Sequence, residues 1–233
     1  MRDQIVLVGC GFLGSVFTDE YLKRVFAGNL DMPLTFVDCD KWERRNAANQ
    51  NVSLEEASSE SPKSCTLHGR ALAFGLDSSF SIDRVTASNI ENVLAPAWVV
   101  VDAVDNLETR QLLYRYGMEN VVPVLHLGIS EVGTGAVEWS YPTHDYFSLA
   151  PHKAKEDGKR QPTLPPCELV RMRMAGVACG MAGAMALGIY FGFDPNSYVE
   201  DFESTRWMTE WGTTPEGFFP RKETWEHVER IEE

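Results

Sequence analysis

Gly9-Cys10-Gly11-Phe12-Leu13-Gly14, set directly after the apolar run Ile5-Val6-Leu7-Val8, constrains the fold more than any other stretch of this chain. A short apolar run ending at glycine predicts a buried strand entering a tight turn. Helical spacing over 15–26, with Val16, Tyr21, Leu22 and Val25 inward, predicts the next element, and 34–37 predicts a second strand ending at Asp38. Strand, glycine turn, helix and strand make one βαβ unit, which implies parallel strands. Gly9, Gly11 and Gly14 allow the tight turn and the close approach of a phosphate. The helix start then offers free amides and the positive end of its dipole. The turn predicts nucleotide binding and leaves NAD, FAD and ATP open.

Further along, 51–64 is polar and reads as a loop or lid. A helix is predicted over 65–74, strands over 80–85 and 98–101, a helix over 107–117, a strand over 121–127 and an antiparallel strand over 135–141. Residues 149–166 are charged and proline-rich, the composition of an exposed crossing loop. Cys167 opens a long helix running to 191, and the tail from Asp194 is acidic and aromatic, with Trp207, Trp211, Phe219 and Trp225 as anchors. The expected fold is α/β: a Rossmann-like, mainly parallel sheet flanked by helices, with an antiparallel extension. The expected division is a nucleotide-binding domain over 1–193 and an extension over 194–233.

The 233 residues suit one large domain with a substantial core. A net charge of -13 argues against a nucleic-acid binder, which needs clustered Lys and Arg. The five cysteines form no C-x-x-C pair, so a structural zinc site has no support. Scattered thiols behind a strand-like start, rather than an export segment, predict a reduced, cytoplasmic protein. Residues 174–193 carry no charge and are about long enough to span a bilayer. Their Ala, Gly and Met content predicts instead a helix buried on a sheet or at a dimer contact. The five histidines show no ligand spacing and receive no metal or catalytic role.

Two polar constellations follow the glycine turn. Asp38-Cys39-Asp40, then Asn46 and Gln50, sit beyond the second strand. An acid at that strand end can accept hydrogen bonds from ribose hydroxyls, while a plain solvated loop is the bland alternative. Val101-Asp102-Ala103-Val104-Asp105-Asn106, followed by Arg110, puts two acids at the C-terminal end of a buried strand. Ligands bind at that edge of open α/β sheets. A carboxylate beside polyphosphate suits Mg²⁺, and capping of the next helix is the structural alternative.

Together these pieces resemble the ThiF/MoeB/ubiquitin-activating superfamily over about residues 4–140, and more loosely to 192. Its pattern is G-x-G-x-x-G, then D-x-D with a downstream N-x-x-R-Q, a later Lys, and D-x-x-D-N-x-x-x-R. Asn46 and Gln50 fall eight and twelve residues after Asp38, as the pattern asks, and Lys63 falls at the phosphate-binding lysine. The resemblance implies ATP and Mg²⁺ as cofactors. It gives Asp38 the ribose contact and Asp105 the metal, with Gly9, Gly11, Gly14, Asp40, Asn46, Gln50 and Lys63 around the nucleotide. It further implies a homodimer and, as partner, a ubiquitin-like or sulfur-carrier protein whose C-terminal glycine is adenylated. Two departures stand out. Asn49 replaces the pattern's Arg, so one phosphate contact is missing or comes from Arg44 or Arg45, and the N-terminal helix that gives the partner subunit an Arg in many relatives is missing, with Arg2 a poor substitute.

Adenylation is mostly positioning and charge neutralisation, work that Asp105 with Mg²⁺, Lys63 and Asn46 can do. Cys167 follows Pro165-Pro166 at a helix start, where a thiol is acidified. It reads either as a nucleophile forming a thioester or as a small structural residue. Cys10 and Cys39 read as packing residues and Cys179 as core. Two other functions stay open. An NAD-dependent oxidoreductase shares the glycine turn but explains neither Asp105-Asn106 nor Lys63. A non-catalytic ATP-binding scaffold would account for Asn49.

Overall fold

The computed structural model describes residues 2–27, 31–48, 50–129, 134–140, 166–192, 205–214 and 217–227. β1 (Gln4–Val8) and β2 (Leu34–Val37) flank α1 (Phe12–Phe26) and pair in parallel, Ile5 beside Leu34 and Val8 beside Val37. Ile5 to Val8 and the whole of β2 are buried, as expected of strands covered on both faces. The chain continues through α2 (Leu54–Ser58), α3 (Lys63–Ala73), β3 (Ser78–Ser81), α4 (Ile90–Val93), β4 (Ala97–Asp102) and α5 (Leu107–Asn120). β5 (Val124–Ile129), β6 (Thr134–Ser140), α6 (Pro166–Gly192), β7 (Thr205–Thr214) and β8 (Gly217–His227) complete it.

The sheet order is β3-β2-β1-β4-β5-β6-β7-β8. Every pairing from β3 to β5 is parallel, and β6, β7 and β8 add on antiparallel, so the mainly parallel sheet with an antiparallel extension is the observed one. Side chains alternate along β1. Ile5 and Leu7 join Phe17, Tyr21, Phe36, Leu67 and Leu127 on the face covered by α1, α3 and α6. Val6 and Val8 join Val100, Leu113, Tyr116 and Val124 on the face covered by α4 and α5. This period of two is what a sheet with two covered faces requires.

The chain steps from β1 outward to β2 and β3, then crosses back to place β4 on the other side of β1. The reversal opens a crevice at the C-terminal ends of β1 and β4, where open α/β sheets take their ligands.

Several expectations shift. Within 51–64, α2 forms where a loop is expected. Ser53 accepts from the Glu56 amide while the Glu56 carboxylate accepts from the Ser53 amide, a reciprocal capping box. β3 lies at 78–81 rather than 80–85, because it is the sheet edge and pairing with β2, Leu34 to Ser78, sets its bounds. β5 starts at Val124 rather than 121, because Val121 ends α5 in the left-handed region with φ 54°. α4 is additional. Cys10 and Cys179 are buried as expected, but Cys39 is exposed, which removes its packing role. The loop expected over 149–166 falls, up to 165, outside the described residues. Trp207, Trp211, Phe219 and Trp225 fall on β7 and β8, with side chains outside the described ones. Among the described residues, no helix is long and apolar enough to cross a membrane.

Candidate nucleotide-binding site

Gly9 ends β1 with φ +93°, and a Cβ there would lie 2.7 Å from the Ala103 carbonyl oxygen. Only glycine lets the loop after β4 press this closely on the turn. A Cβ at Gly14 would overlap the Gly9 carbonyl oxygen, so α1 packs directly on the turn. Gly11 caps α1 without a side chain, and no acid occupies the first helical turn. The Ser15 amide donates to the Gly11 carbonyl at 3.0 Å. The amides of Phe12, Leu13 and Gly14 have no intrahelical acceptor and point toward the crevice with the positive end of the dipole.

At the end of β2 both Asp38 carboxylate oxygens accept backbone amides, from Cys10 and Asp40, each at 2.7 Å. The carboxylate is thereby locked against the glycine turn, with lone pairs left for hydroxyl donors. Burial pushes its pKa up, against the two amides and Lys63, which pull it down. Burial also pushes the Cys10 thiol well up, so it stays protonated and unreactive.

Lys63 opens α3, and its amide donates to the Asp40 carbonyl at 2.9 Å. Its buried ammonium pairs with Asp40 at 3.1 Å and sits 5.6 Å from the centre of the Trp42 ring. Trp42 is fully buried, so this ring is a fixed platform for the cation. Asn46 lies in a 3₁₀ turn (Arg44–Ala48), its side-chain oxygen accepting the Glu43 amide at 2.7 Å. Of the two candidate compensating arginines, Arg45 pairs with Glu43 at 2.7 Å and is exposed. Gln50 returns to the turn: its Oε1 lies 3.7 Å from where a Cβ of Gly11 would be, buried and unpaired among the described residues.

The two acids after β4 separate in role. Asp102 is fully buried. It accepts the Val104 amide at 3.0 Å and the His126 Nδ1–H at 2.7 Å, and pairs with Arg110 at 3.1 Å. His126 Nε2 then accepts the Ser140 hydroxyl at 2.9 Å. The Arg110 guanidinium holds the Asp102 carboxyl below its usual range despite burial, while burial keeps His126 below its ordinary value and neutral. This network ties β4, β5 and β6 together. Asp105, by contrast, is exposed and makes no ion pair or hydrogen bond among the described residues. Asn106, not an acid, caps α5 by accepting the Thr109 amide at 2.8 Å.

Gly9, Gly11, Gly14, Asp38, Asp40, Gln50, Lys63 and Asp105 therefore gather around the ends of β1, β2 and β4, with Asn46 close in the chain to Gln50. Mg²⁺ keeps several waters and takes one or two carboxylates plus phosphate oxygens. A free, exposed carboxylate at Asp105, next to the loop that touches Gly9, fits that donor requirement. Cys167 is the second residue of α6, and its side chain lies outside the described ones. His126, Arg70 and Arg173 are the polar residues that sequence reasoning passes over. Arg70 is held by Asp19 at 3.1 Å and Glu56 at 3.0 Å.

Strand order, glycine turn and crossover define an open α/β sheet of the Rossmann class. Within that class, the ThiF family pattern matches residues 1–211, and the chain belongs to the ThiF family. It is similar to the SAMP-activating enzyme E1 of Haloferax volcanii, 31% identical over 189 residues that make up 79% of this chain and 64% of that protein. It is also similar to the sulfur carrier protein ThiS adenylyltransferase of Bacillus subtilis, 27% identical over 184 residues, 78% of this chain and 48% of that protein. The matched stretches span less than two thirds of either relative's own length.

Proposed function

We propose that this protein adenylates the C-terminal glycine of a ubiquitin-like or sulfur-carrier protein, with ATP as co-substrate and Mg²⁺ as cofactor. The observation that carries the reading is the convergence of the Gly9–Gly14 turn, Asp38, Lys63 and the free Asp105 carboxylate on the crevice between β1 and β4. The names of the two relatives support an activating enzyme acting on a small carrier.

In this reading the amides that open α1 hold phosphate oxygens and Asp38 accepts the ribose hydroxyls. Asp40 keeps the Lys63 ammonium on the Trp42 ring, from which it neutralises phosphate charge. Asn46 and Gln50 line the approach. Asp105 holds Mg²⁺, which when bound draws charge from the phosphates. A carrier carboxylate oxygen attacks the α-phosphorus, forming the acyl–O–P bond as the bond to the bridging oxygen breaks and pyrophosphate leaves. A second step is proposed at Cys167. Its thiolate attacks the acyl carbonyl carbon, a C–S bond forms, and AMP departs. The position of Cys167 in the first turn of a long helix, after Pro166, favours the thiolate.

The test is carrier-dependent exchange of labelled pyrophosphate into ATP, using small ubiquitin-like proteins ending in glycine and the same proteins lacking that residue. Exchange is expected only with the intact terminus. Cys167→Ala should retain exchange and lose a thiol-releasable carrier adduct. Exchange that ignores the terminal glycine would contradict the proposed substrate, and an adduct surviving in Cys167→Ala would remove the thioester step.

A further inference from the structure

α6 crosses α1 by close approach. A Cβ at Gly176 would run into the Phe12 ring, and one at Gly180 would lie 2.6 Å from Val16 Cγ1 and 2.9 Å from the Phe17 amide. Arg173 lies one turn before Gly176 on the same face, since residues three apart are neighbours on a helix. That turn of α6 therefore extends past the start of α1, over the glycine turn. The Arg173 guanidinium is held there: it donates to the Ala48 carbonyl at 3.1 Å. Two residues on, Gln50 places its unpaired Oε1 beside Gly11. Turning that amide over puts N–H donors on the same spot, where an oxyanion can accept.

Arg173 and Gln50 share the wall of a cavity of about 370 Å³. Among the other charged residues of the wall, Arg70 pairs with both Asp19 and Glu56, so these three side chains are tied to one another and carry one net negative charge. Asn51 also donates to Asp19 at 2.8 Å. No carboxylate among the described residues pairs with Arg173, which is exposed. The cavity thus holds a tethered cation with free donors beside a turn built to take phosphate.

We propose that Arg173 is a phosphate-binding residue, reaching from α6 to the β- and γ-phosphates of the nucleotide and to the pyrophosphate that leaves. The inference rests on the proposed ATP reading and deepens it by assigning the cation at the outer phosphates. Arginine suits the task because its planar fork binds phosphate in two-point fashion.

The experiment is calorimetric titration of Mg-ATP and of AMP into the wild type, Arg173→Ala and Arg173→Lys. AMP lacks the outer phosphates, so it reports the ribose and α-phosphate contacts alone. Arg173→Ala is expected to weaken Mg-ATP binding by about tenfold or more, the scale of a charge-assisted hydrogen bond, and to leave AMP binding unchanged. Arg173→Lys should recover part of the ATP affinity. Equal ATP affinity in Arg173→Ala and wild type overturns the inference. A parallel loss of ATP and AMP binding also overturns it, because Arg173 would then only brace the turn through Ala48. A wild type that binds no Mg-ATP overturns the proposed function itself, an outcome separate from either.

Discussion

Asp102 and Asp105, three residues apart, show how little a residue type says without its surroundings. Asp102 is enclosed by Arg110, His126 and a backbone amide, whereas Asp105 faces solvent without a partner among the described residues. Removing the Asp102 carboxylate takes the charge partner from a part-buried Arg110 guanidinium and the acceptor from buried His126, at a cost of about 3 kcal/mol, the low end for a broken buried pair. Asp102→Ala should therefore be strongly destabilised in urea, a stability effect before any effect on chemistry, and a stable, folded variant would contradict the network. His126 adds a pH signature. Burial lowers its pKa, so below about pH 6.5 the unfolded chain binds a proton that the native state refuses. Its contribution to stability is full above that pH and falls as the medium acidifies, by up to about 1.4 kcal/mol per pH unit. His126→Asn, which keeps a donor toward Asp102, should flatten stability against pH between about 6.5 and 5. An unchanged slope would show that another group titrates. The glycine turn, Asp38 and Asp105 were legible because their spacing is local. The partnership of Asp102 with His126 was not, since it arises from β4–β5 register across 24 residues of chain.

At the scale of elements, α6 is set by what it lacks. Ala175, Cys179, Ala182 and Leu187 are buried, and glycine at 176, 180 and 183 lets the helix sink onto α1 and β5. The neighbours of Gly180 include a backbone amide that cannot yield. Gly180→Val should then cost about 1–3 kcal/mol through overpacking, read as a lower Tm. A neutral outcome would mean that α6 sits farther from α1. The start and end of this helix followed from sequence because its composition changes sharply at Pro166 and after Phe191. α2 is not legible in the sequence because its helical signal is a cap over a polar stretch rather than an apolar period. Its box predicts that Ser53→Ala loses about 1 kcal/mol by urea titration.

On the scale of the molecule, α6 turns a second face outward. Val170, Met174, Val177, Met181 and Met185 recur at helical spacing and are exposed, Val170 by 56%. Such a continuous apolar stripe suits self-association, the use that the homodimer implied by the family resemblance would make of it. Met181→Glu should shift a dimer to monomer in sedimentation velocity, and a wild type that remains monomeric at high concentration would contradict this use of the stripe. The whole architecture points to one crevice, since strand order, turn and acids meet where β1 and β4 part. In the proposed function this crevice takes Mg-ATP. The most direct test is titration of Mg-ATP, metal-free ATP and NAD into the wild type and Asp105→Ala. The wild type is expected to bind Mg-ATP more tightly than NAD, and Asp105→Ala to lose about tenfold or more for Mg-ATP while metal-free ATP binds both proteins alike. Binding of NAD without Mg-ATP, or Mg-ATP affinity untouched in a folded Asp105→Ala protein, would contradict the proposed function.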